Sequence, residues 1–190
     1  MKALKKELGA EIDVRDHNNT LVVSHDPYTG GELFDEFTKE LSERHLIINI
    51  KSEGIEKDVI EILEHNNVKN YFLLDCTFPA IVKLIEKGFD KIALRFSEYE
   101  GMDTLKMMQG KVQWVWIDCF TKRPFTARQY KLIKNLGYKT CLVSPDLLLR
   151  PEQIQVYIDE LKSIKCVPDA VCVKKEYVVE WKRFYKNYLF

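Results

Sequence analysis

The sequence lacks an excess of charge of either sign: 29 Lys and Arg balance 29 Asp and Glu over 190 residues. A nucleic-acid-binding chain usually carries a basic surplus and an acidic disordered tail the reverse, so no nucleic-acid partner is expected. Any affinity for phosphate has to be local to a pocket. Long apolar runs are also lacking. The longest, such as Leu46–Ile50 and Val112–Phe120, fall well short of the ~20 residues a helix needs to cross a bilayer, so stable membrane insertion is not expected. A basic stretch leading into an extended apolar one is missing too, which argues against secretion.

No C-x-x-C pair occurs among Cys76, Cys119, Cys141, Cys166 and Cys172. Their odd number and wide spacing, with four of them in or at the end of apolar runs, suit reduced and mostly buried thiols in a cytoplasmic protein. A zinc site made of thiolates is correspondingly disfavoured. Neither G-x-G-x-x-G nor a Walker-type loop is present, which lowers the nucleotide-binding alternatives.

What is present is a regular alternation. Short β-rich runs lie at Ala10–Arg15, Leu46–Lys51, Tyr71–Asp75, Lys91–Phe96, Val112–Phe120, Thr140–Val143 and Ala170–Lys174. Between them, helical periodicity runs over Glu32–Arg44, Ile55–Asn66, Pro79–Lys87, Asp103–Met108, Thr126–Asn135 and Pro151–Lys165, with a last amphipathic stretch at Tyr177–Tyr188. A short helix-like segment, Lys2–Leu8, leads into the first strand. Strand, helix, strand at this spacing predicts parallel strands covered by helices. Asp13, Lys51, Asp75, Arg95, Asp118, Ser144 and Lys174 each fall at or near the C-terminal end of a run. A (β/α) TIM-type barrel gathers such ends at one mouth. The expectation is therefore one α/β domain over residues 1–190, an incomplete barrel of about seven parallel strands.

Glu11 and Asp13 stand two apart on the first strand, so their side chains share a face. Two carboxylates so placed repel unless a cation or a basic neighbour, such as Arg15, Lys51 or Arg95, neutralises them. A divalent cation, Mg²⁺ or Ca²⁺, suits such oxygen ligands. His25 next to Asp26 reads either as an acid/base or as a structural histidine bonded to its neighbour. His45 and His65 read as solvated residues at helix ends.

The run from Gly9 through Ala10, Glu11, Asp13 and Val14, the Asn18-Asn19 turn, and Leu21 to Pro27 with His25-Asp26 resembles the glycerophosphodiester phosphodiesterase family of the phospholipase-C-like barrels. The resemblance is close over Gly9–Asp26 and looser beyond. It implies hydrolysis of a small phosphodiester substrate, a glycerophosphodiester or a related glycerol or sugar phosphodiester. Glu11 and Asp13 would be metal ligands and His25 a catalytic acid/base. The family's E-x-K is met by Asn49-Ile50-Lys51, so Asn49 would be the third ligand in place of a carboxylate and Lys51 would contact phosphate. Glu53 is an alternative ligand. Arg95, Trp116 and Lys174 are candidate substrate contacts, although Arg95 could instead pair with Asp75 and Trp116 could be core.

The family's first strand, ending in His-Arg, has no counterpart in this sequence, in keeping with the count of seven. That implies a shortened active enzyme or, alternatively, a degenerate barrel that binds phosphorylated glycans or lipids. Strand edges flanking the gap would need cover, for which a homo-oligomer is one means.

Overall fold

The computed structural model describes residues 8–41 and 43–188. All but the last residue of the expected Lys2–Leu8 helix lies outside the described residues. The chain forms two compact units, one running to Ala93 and the other starting at Leu94.

The first unit is built on a five-stranded sheet. Its strands are β1 (Ala10–His17), β2 (Thr20–Val23), β3 (Glu32–Leu33), β4 (Leu46–Ile50) and β5 (Tyr71–Leu74), in the order β3-β2-β1-β4-β5. β1, β4 and β5 run parallel. The β4 sequence LIINI is buried at all five positions and β5 at all four, the pattern of parallel strands covered on both faces. A parallel bridge between Leu73 and Ile92 extends the pairing beyond β5. The connecting helices α2 (Glu56–His65) and α3 (Phe78–Glu86) bury Val59 and Leu63, and Ile81 and Leu84. Each pair is spaced for one helix face.

β2 and β3 form an antiparallel arm on the far side of β1. Asn18 and Asn19 both have positive φ, 48° and 61°, as a two-residue type I′ hairpin turn requires. Gly31 lies where an added Cβ would collide with the Val23 carbonyl oxygen, so only glycine allows this approach. The helix expected from Glu32 accordingly starts later, as α1 (Phe34–Lys39): Glu32 and Leu33 are taken into the sheet opposite Val23 and Val22.

The second unit carries β6 (Ala93–Phe96), β7 (Trp114–Ile117), β8 (Lys139–Val143) and β9 (Ala170–Cys172), in the order β6-β7-β8-β9. β7, β8 and β9 are parallel. Its helices are α4 (Met102–Met107), α5 (Ala127–Asn135), α6 (Ile154–Ser163) and α7 (Val178–Tyr188). Val115, Ile117, Cys141 and Leu142 are fully buried in its core. α5 opens with a capping box between Thr126 and Gln129, which satisfies N–H groups left open at a helix start.

Each of the seven expected strand segments contains a strand, and the fold class is mixed α/β with parallel strands and helices. Among the described residues no helix is long and apolar enough to cross a membrane.

Candidate functional site

Along β1, Ile12 and Val14 are buried while Glu11 and Asp13 occupy the alternate face. The parallel register sets Asp13 opposite Asn49, and Asn49 opposite Leu74. Lys51 follows β4, and its N–H donates to the Val14 carbonyl at 2.9 Å. One patch of the first unit thus gathers Glu11, Asp13, Asn49 and Lys51, as the sequence pattern expects.

The contacts within the patch are specific. Lys51 Nζ lies 3.1 Å from Asp13 Oδ1, with both side chains about one-fifth exposed. Asn49 Nδ2 donates to Glu11 Oε1 at 3.0 Å. Asn49 is 8% exposed, and its Oδ1 is buried with no hydrogen-bond partner. An unsatisfied buried acceptor costs about 1–3 kcal/mol. Although Glu11 as a residue is open to solvent, protein atoms crowd its carboxyl. This desolvation, reinforced by Asp13 and Asp75, raises its pKa above the ordinary value, and the Asn49 hydrogen bond and Lys51 offset the rise only in part.

Asp75 contributes to that field from the end of β5, with φ at 59°. Its position at a strand end was legible in the sequence, but its effect on Glu11 depends on packing between strands. Glu53 Oε1 accepts from Thr77 Oγ1 at 3.0 Å, at the head of α3.

His25 lies just beyond β2. The Ser24 N–H donates to the Asp13 carbonyl at 3.0 Å, carrying the pairing one residue past the strand. The chain then turns, and Arg15 Nη2 donates to the His25 carbonyl at 3.0 Å. His25 Nδ1 meets Asp26 Oδ1 at 2.8 Å, and both side chains are more than two-thirds exposed. The hairpin therefore brings Ser24, the residue before the histidine, next to Asp13, while the His25 ring bonds to Asp26. His45 differs from expectation: it is half-buried, with its ring 5.7 Å from that of Phe72.

The remaining three candidates lie in the second unit. Arg95 on β6 pairs with Asp118 just past β7, and its Nε lies 3.9 Å from Glu100. Trp116 is 6% exposed, and its indole N–H donates to Asp118 at 3.3 Å. Lys174 follows β9 and is exposed, and its backbone N–H donates to the buried Asp146 at 2.9 Å.

Glu11, Asp13 and Asn49 carry hard oxygen donors, and the Asn49 amide turns its nitrogen to Glu11 while its Oδ1 is buried without a hydrogen-bond partner. Such a set fits Mg²⁺ or Ca²⁺. Among the described residues no group of three or more His, Cys, Asp or Glu is placed to hold a metal ion. No family model and no curated protein matches the chain.

Proposed function

We propose that the first unit carries the centre of a metal-dependent phosphodiesterase acting on a glycerophosphodiester or a related glycerol or sugar phosphodiester. The observation that carries this reading is the patch itself. Glu11 and Asp13 share a face beside Asn49 and Lys51, with a Glu11 carboxyl whose pKa is raised by crowding and by the negative charge of Asp13 and Asp75. Excess negative charge in a desolvated spot favours a cation.

A bound divalent ion would polarise the phosphoryl oxygens and offset developing charge. Glu11, Asp13 and the Asn49 amide oxygen would hold it. Lys51, 3.1 Å from Asp13, is placed to turn its ammonium toward a phosphate once that carboxylate has another partner. His25 would give its proton to the leaving alcohol, with Asp26 fixing the ring through Nδ1.

The (β/α) barrel expected from the sequence belongs to the same proposal. A cytoplasmic setting is also part of it, supported by five free cysteines.

Hydrolysis of glycerophosphodiesters with Mg²⁺ or Ca²⁺ is the test. Glu11→Ala and His25→Ala are each expected to lower turnover by about two to four orders of magnitude. Metal-dependent turnover that both variants leave intact would overturn the site.

The Asp13–Lys51 and His25–Asp26 pairs give a second reading some support: a degenerate centre that binds phosphorylated glycans or lipids without turnover. It predicts a melting shift with a phosphorylated ligand and no hydrolysis.

A further inference from the structure

Beyond Asp13 the β1–β4 pair carries a second tier of charge, of the opposite sign. Arg15 follows Glu11 and Asp13 at the same two-residue spacing, so the three side chains share the face away from the buried Ile12 and Val14. Asp13 stands opposite Asn49. The bond from the Lys51 N–H to the Val14 carbonyl carries the parallel register one residue past β4, which sets Lys51 level with Arg15. Two cations therefore stand on neighbouring strands, about 7 Å beyond the tier of Asp13 and Asn49 and toward the strands' C-terminal ends.

The two are not equally engaged. Lys51 Nζ reaches back to Asp13 Oδ1 at 3.1 Å. Among the described residues Arg15 pairs with no carboxylate, and its one hydrogen bond runs from Nη2 to the His25 carbonyl at 3.0 Å. Its Nε is buried with no hydrogen-bond partner. A guanidinium has five N–H donors, so most of those on Arg15 are unengaged. The carboxylates closest along the chain have other places: Asp13 holds Lys51, Asp26 holds the His25 ring, and the exposed Asp16 belongs to the opposite face of β1.

The side chain is also fixed in place. Arg15 is half-buried, with Nε packed in protein and Nη2 tied to the turn that carries His25. A guanidinium held in one plane is preorganised for an anion that presents two oxygens together. With the Lys51 ammonium alongside, a phosphoryl group matches this tier in charge and in shape.

We propose that Arg15 grips the phosphoryl group of the substrate through its unengaged N–H groups, beside Lys51 and next to the turn of His25. The proposal rests on the phosphodiesterase reading of the patch and adds to it a residue that seats the phosphate. Because the same guanidinium bonds to the His25 carbonyl, a bound phosphate and the histidine turn share one anchor.

Titration of the full chain with inorganic phosphate, at neutral pH and without divalent ions, tests it. In the NMR spectrum of the wild type, the Nε–H signal of Arg15 should shift with phosphate and stay in place with sodium chloride at equal ionic strength. By calorimetry, Arg15→Lys, which keeps the charge and loses the planar fork, should bind phosphate about tenfold more weakly, and Arg15→Met at least as weakly. On a glycerophosphodiester, kcat/KM of both variants should fall by at least about tenfold. An arginine that served only to hold the His25 turn would change melting temperature and leave phosphate affinity intact. Equal phosphate affinity in the variants, an equal shift with chloride, or no phosphate binding by the wild type overturns the proposal. Hydrolysis by the wild type alongside unaltered phosphate affinity in the variants removes Arg15 and keeps the phosphodiesterase. Phosphate binding that depends on Arg15 without any hydrolysis keeps Arg15 and removes the turnover.

Discussion

The Asn49 side chain donates to Glu11 across the β1–β4 pair at 3.0 Å, and in doing so leaves its own Oδ1 buried without a partner. A neutral amide thus stands where a third carboxylate would add to the repulsion around Glu11, and it calms the patch by donating a hydrogen bond rather than by carrying charge.

Replacing that amide by a carboxylate exposes the balance. Asn49→Asp removes the donor to Glu11 and adds a negative charge beside it. The variant should lose about 1–3 kcal/mol of stability at neutral pH, and Mg²⁺ or Ca²⁺ should recover more stability for it than for the wild type. Melting temperatures with and without the ion measure both effects. A variant as stable as wild type without metal, and unresponsive to it, would count against the patch as a cation site.

Two carboxyls give pH effects of opposite sign. Burial alone would raise the Glu98 pKa, but three backbone N–H groups and a hydroxyl outweigh it and bring it to about 2. Its contribution is therefore present above the ordinary value of 4.5 and fades as pH falls toward about 2. Glu98→Gln should be less stable at neutral pH and should flatten that acid limb in a series of melting curves. Glu11 is raised instead, so its contribution to stability declines as pH rises through the window above 4.5. Glu11→Gln should remove that decline.

Gly9 opens the segment that resembles the phosphodiesterase pattern, and its place in the fold is steric. An added Cβ would lie 2.5 Å from the His45 carbonyl oxygen, which accepts the Ala10 N–H at 3.1 Å. Gly9→Ala should destabilise by about 1–3 kcal/mol through forced backbone shifts. Gly54→Ala serves as a comparison, since it meets nothing within 4 Å and pays only for its φ of 93°. Chemical denaturation of both separates steric from conformational cost.

Asp118 is 5% exposed and receives Arg95, the Trp116 indole and the Cys119 N–H. Asp118→Ala removes the shared acceptor of three donors, one of them charged, and should cost about 3–5 kcal/mol. Adding Arg95→Met should recover part of that loss. A double-mutant cycle by denaturant unfolding gives the coupling.

The strands β4, β5, β7 and β8 were legible because they are apolar runs bounded by turns, and Glu11 and Asp13 because alternation on a strand fixes a face without reference to anything else. Other features depend on what lies across space. Glu32 and Leu33 are too few to show a period, and read as the start of a helix until Val22 and Val23 claim them for the sheet. His45 read as solvated, yet its ring lies against Phe72 on another strand. The Asn49–Glu11 bond required the β1–β4 register, and the N–H groups that hold Glu98 come from a loop 22 to 24 residues further on. No local pattern carries that information.

The turn at Asn18 and Asn19 has a bearing on how this segment can vary. Because β1 folds back through only two residues, the pairing of Ser24 with Asp13 is counted out from the turn like marks on a ruler. One residue inserted there would shift β2 by a step and turn each of its side chains to the opposite face. Loop length at residues 18 and 19 is therefore a constraint on where His25 can stand, as strict as the identity of the histidine itself.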